Sequence, residues 1–552
     1  MKFQLDRKAV EQELVKYGLG ERMAERVAEE LDHDKVLDIV RENPYDLMKV
    51  DGISFTRADK IALNFFSIDV NDRRRQRALI YKLLDDHKNL GHTYLPLYTL
   101  EKEMKKQDIT SAEPLQDALH AGELIMEDNR IYTSKLYIAE VGCADAVRKR
   151  SSTASPPMPL VTPVVTLRDK EQREAVQSAP QCNILVVTGG PGTGKTYTVD
   201  QICKELEQTR HGSIGLCAPT GKAAKRLSEL TGRPAATIHR MLGATYGSWR
   251  YNRLHPLARY STVICDESSM LDIDLCWHLL QALPSTTRVI FVGDVDQLPP
   301  VGPGSPFKDI ILSKQVSTVR LLTNHRQGRG STIASNAMAI NKGSLNLDLG
   351  DDFEFIDCPS HIHLREQLPI ILDRLKKEGY DLIRDVQVLS PQKTTAVGVE
   401  ALNDFLRFHI NQKAKRWDRF SVGDKVMQNS NDYQLGIFNG YVGQIVSEGP
   451  LHFEIQFFDE DEVTKYPKEK INALIPAYCC TVHKYQGSEI KAGIAIISSS
   501  HTYMLTRNLL YTAVTRFKEK CIILGDAIAL KRAISNTREQ ERYSKLLERL
   551  QD

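Results

Sequence analysis

Apolar positions along the chain fall into helical spacing in its N-terminal part and into continuous runs between residues 184 and 292 that predict buried strands. Ile184-Leu185-Val186-Val187-Thr188 is a continuous apolar run bounded by glycine, which predicts a strand buried on both faces, with a helical stretch from Tyr197 to Leu206 after it. Residues 261–265 and 289–292 read the same way. Ahead of them, residues 1–66 predict short helices punctuated by glycine. There Tyr17-Gly18-Leu19-Gly20 precedes Ala24, Val27 and Ala28, and Val50-Asp51-Gly52-Ile53 precedes Ala58, Ile61 and Ala62, as if one pattern were written twice. In residues 67–148 a helical stretch from Leu79 to His87 leads to two short strands at 124–126 and 130–133. Far downstream, alternating Phe453, Ile455 and Phe457 with an Asn439-Gly440 turn predict short antiparallel strands within 413–470.

A chain of 552 residues exceeds one ordinary core, so several domains are expected. The Ser/Pro-rich stretch 149–166 reads as a linker. With 73 Lys plus Arg against 71 Asp plus Glu, the net charge of +2 excludes a uniformly basic nucleic-acid coat but not a local basic groove. A hydrophobic content of 41% with 26% charged residues is that of a globular protein. No apolar run is long enough to cross a membrane and the N-terminus lacks a signal-peptide pattern, which predicts a soluble, cytoplasmic protein without membrane contact. The ten cysteines are scattered, the only close pair being Cys479 and Cys480, and they read as buried free thiols.

The chemistry concentrates at the ends of the apolar runs. Directly after residue 188 comes Gly189-Gly190-Pro191-Gly192-Thr193-Gly194-Lys195-Thr196, a phosphate-binding loop in its required strand-loop-helix setting. Its glycines let backbone N–H groups wrap a phosphate, with Gly190, Gly192, Thr193 and Gly194 as the cradle; Lys195 reaches the β and γ phosphates, and Thr196 offers a hydroxyl to Mg²⁺. The run at 261–265 ends in Asp266-Glu267-Ser268-Ser269-Met270, where Asp266 is placed to hold Mg²⁺ and Glu267 to deprotonate an attacking water. The run at 289–292 ends in Gly293-Asp294-Val295-Asp296-Gln297-Leu298-Pro299-Pro300-Val301.

The phosphate loop with the DESSM and GDVDQLPPVGPG segments resembles RecD-like superfamily 1B DNA helicases. The resemblance continues through residues 167–176, where Gln172 is implied to read adenine, and through Ala218-Pro219-Thr220-Gly221-Lys222 and Thr237-Ile238-His239-Arg240, implied to contact the strand. It extends to Asn324-His325-Arg326-Gln327, in which His325 replaces the more usual Phe, to the Thr481-Val482-His483 segment ending in Glu489, and to Tyr511-Thr512-Ala513-Val514-Thr515-Arg516. By resemblance, Arg326 and Arg516 face the γ-phosphate from the second motor domain, Gln297 senses the nucleotide state, and Glu489 lies at the nucleotide. The tandem pattern in 1–66 is similar to helix-hairpin-helix modules, with Ser54 where that family prefers Gly; a plain helical bundle is the alternative. The second unit, opened by Arg73, Arg74, Arg75 and Arg77, resembles a small winged-helix module.

The expected fold is therefore α/β: two RecA-like P-loop motor domains with parallel sheets, an N-terminal helical region with helix-hairpin-helix-like and winged-helix-like parts, and a small inserted β-barrel. The boundaries read as 1–66, 67–148, linker 149–166, first motor 167–317, second motor 318–412 and 471–552, and an SH3-like barrel insertion at 413–470. Residues 211–260 hold Lys222, Lys225, Arg226, Arg233, Arg240, Arg250, Arg253 and Arg259 against Glu229 alone, a local excess of +7. With Thr220, His239, Trp249 and Tyr251 they compose a candidate single-strand groove, to which the resemblance adds Pro219, Thr481 and His483. The stretch 248–256, SWRYNRLHP, resembles the family's β-hairpin pin at the duplex fork. The acidic run Asp459-Glu460-Asp461-Glu462 reads as a solvated turn. The implied function is an ATP- and Mg²⁺-dependent, monomeric helicase moving 5′ to 3′ on single-stranded DNA and opening duplex junctions. A nucleotide-controlled strand clamp or loader without unwinding, and an RNA helicase, remain open.

Overall fold

Three apolar runs, Ile184–Gly189, Thr262–Cys265 and Arg288–Gly293, are strands buried along their whole length, as strands covered by helices on both faces must be. They belong to a six-stranded parallel sheet in the order Ser317–Leu321, Ile184–Gly189, Arg288–Gly293, Thr262–Cys265, Ile214–Ala218, Ala235–Thr237. Because every strand runs the same way, the phosphate loop, the DESSM segment and the GDVDQ segment all leave the same edge of the sheet. The computed structural model describes residues 7–31, 35–50, 52–109, 111–152, 169–208, 213–245, 248–325, 331–538 and 541–552. Of the linker expected at 149–166, residues 149–152 close the helix Ser134–Ser152 and the rest lie outside the described residues, as do Leu167, Arg168 and Arg326.

The chain divides into two compact units, Met1–Glu140 with Gly302–Gly304, and Val141–Val301 with Ser305–Asp552. In the first unit, helices Glu21–Glu30 and Phe55–Phe65 start from matched N-caps, Gly20 at φ −72° and Ser54 at φ −76°. Both caps have ordinary extended backbone, so Ser54 costs nothing where the helix-hairpin-helix pattern prefers glycine. The positive φ falls earlier, on Gly18 and Gly52, each at 89°. The same unit carries helices Arg73–Asn89, Leu97–Lys106 and Glu113–His120 and a three-stranded antiparallel sheet in the order Leu95–Pro96, Arg130–Thr133, Leu124–Glu127.

In the second unit, the other parallel sheet runs Phe353–Asp357, Phe517–Gly525, Ile490–Ile497, Val386–Ser390, Cys479–Thr481. Between its strands is inserted a five-stranded antiparallel sheet in the order Thr464–Pro467, His452–Phe457, Val442–Glu448, Lys425–Gln428, Leu474–Pro476. Alternation in His452–Phe457 puts Phe453, Ile455 and Phe457 into one core with Val426, Tyr441, Tyr466 and Leu474.

Three expected boundaries move. The strand Ser317–Leu321 pairs with Ile184–Gly189, so the first motor does not end at 317; its last strand, divided by the expected boundary, carries it beyond that point. The inserted sheet closes on Leu474–Pro476, beyond residue 470. The helix Leu546–Gln551, assigned from its position to the second motor, packs instead on Pro306–Ser313 of the first, with Leu546 and Leu550 buried. The first and the third of these pairings leave no local trace, because each joins segments more than a hundred residues apart. Among the described residues no helix is long and apolar enough to cross a membrane, and all ten cysteines are free, buried except for the half-buried Cys182.

Candidate active site

The phosphate loop is held in shape by its own polar groups. Gly192 and Gly194 both have φ of 77°, and a Cβ on Gly194 would lie 2.7 Å from Gln172 Nε2, so conformation and space both demand glycine there. Gln172, buried on the helix Lys170–Ser178, donates to Thr193 O at 3.3 Å, and the Thr193 hydroxyl donates to Gly190 O at 2.8 Å. Lys195 Nζ donates to Gly189 O at 2.7 Å and Gly190 O at 3.0 Å. The lysine charge is thereby parked on backbone carbonyls at the place where a phosphate would sit. Thr196 follows on the first turn of the helix Lys195–Gln208.

Asp266 and Glu267 leave the strand Thr262–Cys265 at the same sheet edge. Asp266 Oδ1 accepts from Glu267 N at 2.8 Å. Burial, reinforced by the neighbouring Glu267 charge, pushes the Asp266 carboxyl up to about 6, against the pull of Lys195 and Arg226. Glu267 has φ of 51°, a left-handed conformation that non-glycine residues adopt under constraint from their surroundings.

The third strand end carries Asp294, fully buried, whose carboxyl is raised chiefly by burial. Its Oδ2 accepts from Gln297 Nε2 at 3.1 Å and from the Tyr511 hydroxyl at 3.1 Å. Tyr511 lies on the helix Arg507–Val514 of the second motor, and the same helix sends Asn508 Nδ2 to Asp296 O and Gln297 O, each at 3.0 Å, and Thr512 Oγ1 to accept from Leu298 N at 3.0 Å. A Cβ on Gly190 would meet the Tyr511 hydroxyl at 3.2 Å. One helix thus touches both the Gln297 segment and the phosphate loop. The motif at 511–516 assigns a role to Arg516 alone; the roles of Tyr511 and Thr512 within it, and Asn508 ahead of it, emerge only from the structure, although their i, i+3, i+4 spacing marks one helix face.

Arg516 is buried and donates to Thr512 O at 3.1 Å, Ser488 O at 3.3 Å and Thr515 Oγ1 at 3.3 Å. Arg326 is outside the described residues, but its neighbours are stitched to the phosphate loop: Asn324 Nδ2 donates to Pro191 O at 3.1 Å and His325 N to Gly192 O at 2.7 Å. That segment leaves the first sheet's strand Ser317–Leu321, so residues 324–325 approach the nucleotide loop from the first motor rather than the second. The His325 ring pairs with the Asp169 carboxylate, an interaction the usual Phe could not make. Glu489 forms a two-pronged pair with Arg226 at 3.1 Å and a further one with Lys518 at 3.2 Å.

Four of the eight cations of the +7 stretch are neutralised by carboxylates. Lys222 pairs with Asp459 at 2.9 Å, Lys225 with Glu460 at 2.8 Å, Arg226 with Glu489, and Arg233 with Asp200 and Glu207 at 2.7 and 2.6 Å. The acidic turn expected to be solvated is therefore seated on the lysines of the candidate groove; distant charges pair because folding brings the insert there. Thr220 Oγ1 caps the helix Gly221–Thr231 at Ala223 N, and Thr481 Oγ1 accepts from Lys484 N. Pro219 directly precedes that cap. His483 is lowered by burial, with Arg542 contributing.

The paired strands of the hairpin are Ala244–Thr245 and Ser248–Trp249, so the ladder lies mostly ahead of the expected 248–256. Trp249 stacks with His239 at 5.4 Å and with His278 at 4.3 Å between ring centroids, which ties the hairpin to the first motor. Residues 250–256 form a loop beyond it, in which Asn252 Oδ1 accepts from Leu254 N at 2.9 Å and His255 N at 3.2 Å. Leu254 at its tip is 84% exposed.

In the other unit, the arginine cluster is internally paired: Arg73 with Glu113, Arg74 with Asp72, Arg75 with Asp59 and Arg77 with Glu123.

Three family patterns match the chain: the ATP-dependent RecD2 DNA helicase HHH domain over 4–94, an AAA domain over 172–303, and a UvrD-like helicase C-terminal domain over 476–524. The ATP-dependent RecD2 DNA helicase of Deinococcus radiodurans is 31% identical, the match covering 97% of this chain and 76% of the relative. The RecBCD enzyme subunit RecD of Mycobacterium tuberculosis is 28% identical over 77% of this chain and 81% of its own. Among solved structures, the Pif1 helicase from Bacteroides in complex with ADP-AlF3 and single-stranded DNA is similar at a TM-score of 0.41 and 19% identity, covering 67% of this chain and 94% of that one. With its phosphate loop, carboxylate pair and bridging helix, and with this match along nearly its whole length, the chain belongs to the RecD2 family and is an ATP-dependent DNA helicase.

Proposed function

We propose that the protein moves 5′ to 3′ along single-stranded DNA and opens duplex at a fork, with the helix Arg507–Val514 carrying the nucleotide state between the motors. The observation that carries this reading is the Tyr511–Asp294 hydrogen bond beside Gly190, made by the helix that also holds the backbone of Gln297. An incoming nucleotide draws Lys195 off the two carbonyls onto its phosphates, and its terminal phosphate meets the same surface that Tyr511 covers. Glu267 deprotonates the attacking water, and Arg326 and Arg516 stabilise the charge that develops, a contribution typically of about 10³ to 10⁵ in rate. Gln172 holds the base. Glu489, through Arg226, keeps the two motors in register beside the nucleotide.

Two hard oxygen donors fit Mg²⁺, the buried Asp266 carboxylate and the Thr196 hydroxyl. When bound, the ion supplies charge neutralisation at the phosphate oxygens. Strand contacts are assigned to Pro219, Thr220, Lys222, His239, Thr481 and His483, while Trp249 acts by anchoring the hairpin through its two histidines. The loop 250–256 is the pin, its exposed Leu254 held by the Asn252 turn. The inserted sheet is an SH3-like barrel enclosing the strand, a reading supported by the shared core of its two edge strands through Tyr466 and Leu474.

The test is strand displacement on 5′-tailed, 3′-tailed and blunt duplexes, in DNA and RNA, with Lys195→Ala as control. Displacement of 5′-tailed DNA alone is expected. A 3′ preference overturns the polarity, RNA preference the substrate, and undiminished displacement by Lys195→Ala the motor. Replacing residues 250–255 with a short Gly/Ser turn, leaving Trp249 in place, should abolish unwinding while strand-stimulated hydrolysis persists; equal loss of both would contradict the pin.

A further inference from the structure

The loop 411–419, which joins the helix Val399–Ile410 to the inserted sheet, gathers Lys413, Lys415, Arg416 and Arg419 around Trp417, with Asp418 as its one acid. Trp417 is 86% exposed, and all four cations are exposed with it. The loop is not loose. Arg407 Nη1 donates to Asp418 O at 3.0 Å while its Nε holds Asp424 at 2.9 Å, Lys415 N donates to Ser421 Oγ at 3.1 Å, and Lys413 N to Asn411 Oδ1 at 3.2 Å. From beneath, Asn411 Nδ2 is itself fixed to Asp424 Oδ1 at 2.8 Å. Arg416 lies over the Phe408 ring at 5.8 Å.

Two other basic clusters of the protein differ from this one. Lys222, Lys225 and Arg226, and Arg73, Arg74, Arg75 and Arg77, each meet a carboxylate. In the 411–419 loop, Lys415 lies 3.7 Å from Asp418, while Lys413, Arg416 and Arg419 have no carboxylate within 4.0 Å among the described residues. Arg419 is committed to Asn472 and to Leu474 O, which leaves Lys413 and Arg416, with the loosely paired Lys415, beside the indole; a fastened backbone that holds them there in water presents the two elements of single-strand binding, a flat stacking surface and phosphate neutralisation. A duplex keeps its base faces stacked on one another, so the exposed indole favours an unpaired base.

We propose that this loop is a second single-stranded nucleic-acid contact, in which the Trp417 indole stacks on an unpaired base and Lys413, Lys415 and Arg416 neutralise the flanking phosphates. It rests on the helicase reading for the identity of its ligand. The contact adds a holding point on the insert, outside the residues that bind nucleotide.

The test uses the full chain, a fluorescent oligo-dT followed by anisotropy over a salt series, and hydrolysis measured without oligonucleotide. Trp417→Ala should weaken oligo-dT binding by about 5- to 100-fold, with Trp417→Phe restoring most of it. Lys415→Glu with Arg416→Glu should flatten the salt dependence by about 1.4 in log–log slope, while hydrolysis without oligonucleotide stays unchanged in all variants. Unaltered affinity and slope overturn the proposal. So does a loss confined to binding of vesicles rich in anionic phospholipid, which would make the loop a membrane contact. If the unsubstituted protein bound oligo-dT with no stimulation of hydrolysis, the motor reading would fail, and the loop would still be decided by its own variants.

Discussion

The Tyr511 hydroxyl donates to Asp294 Oδ2 at 3.1 Å, joining a buried carboxyl at a strand end of the first motor to a helix of the second. Burial and the Asp294 carboxylate keep this phenol protonated far above neutral pH, so it acts as a fixed donor. Asp294 also holds Gln297, so a displacement of the helix is felt directly at the segment implied to sense nucleotide.

Tyr511→Phe removes that donor and keeps the ring. A hydrogen bond to a carboxylate contributes about 1.5–3 kcal/mol, so coupling should fall by roughly tenfold or more. Hydrolysis without DNA should stay within about threefold, whereas stimulation by single strands should drop with the bond. Steady-state hydrolysis with and without oligo-dT measures both, and an unchanged stimulation ratio would show that the bond does not transmit.

Asp266 gives a pH dependence of known sign. Burial raises its carboxyl to about 6, above the ordinary aspartate value of 3.8, so the stability it contributes is present below about 4 and is lost as pH rises through 6, where the fold must hold a buried charge. In the nucleotide-free protein Asp266→Asn should therefore raise the unfolding free energy at pH 8 by at most about 3 kcal/mol, and with it the thermal midpoint, and lose the advantage toward pH 4. Thermal unfolding at several pH values reads this; an advantage that persists at pH 4 would contradict it.

The acidic turn occupies lysines that a strand would need. Asp459→Asn with Glu460→Gln releases Lys222 and leaves Lys225 its Asp459 carbonyl bond and a 3.8 Å pair with Glu229, and each lysine that reaches the strand should steepen the salt dependence of oligo-dT binding by about 0.7 in slope. Binding at low salt should tighten accordingly. A slope identical to that of the unsubstituted protein would remove these lysines from the strand path.

Leu550 is buried where the helix Leu546–Gln551 meets Pro306–Ser313. Leu550→Ala should cost that contact about 2–5 kcal/mol. Hydrogen exchange should then quicken in 306–313 and 546–551 while the strand Ile184–Gly189 keeps its protection. Uniform loss of protection throughout the chain would mean that the helix supports the whole fold.

What the sequence determined by itself is what short stretches decide. Apolar runs followed by glycine, carboxylate or amide residues specify a strand and the group at its end, and Lys195, Asp266, Glu267 and Gln297 were legible because each lies within a few residues of such a run. The matched starts at Gly20 and Ser54 are local in the same sense. Tertiary structure alone decided which distant groups meet. Lys222, Lys225 and Arg226 read as part of an open groove until folding placed Asp459, Glu460 and Glu489 against them, and Trp249 read as a strand contact until His239 and His278 stacked on it. The return of Leu546–Gln551 to the first motor belongs with these. Periodicity records which face of an element is buried, but the partner it is buried against is set by long-range packing, which leaves no mark in the local order of residues.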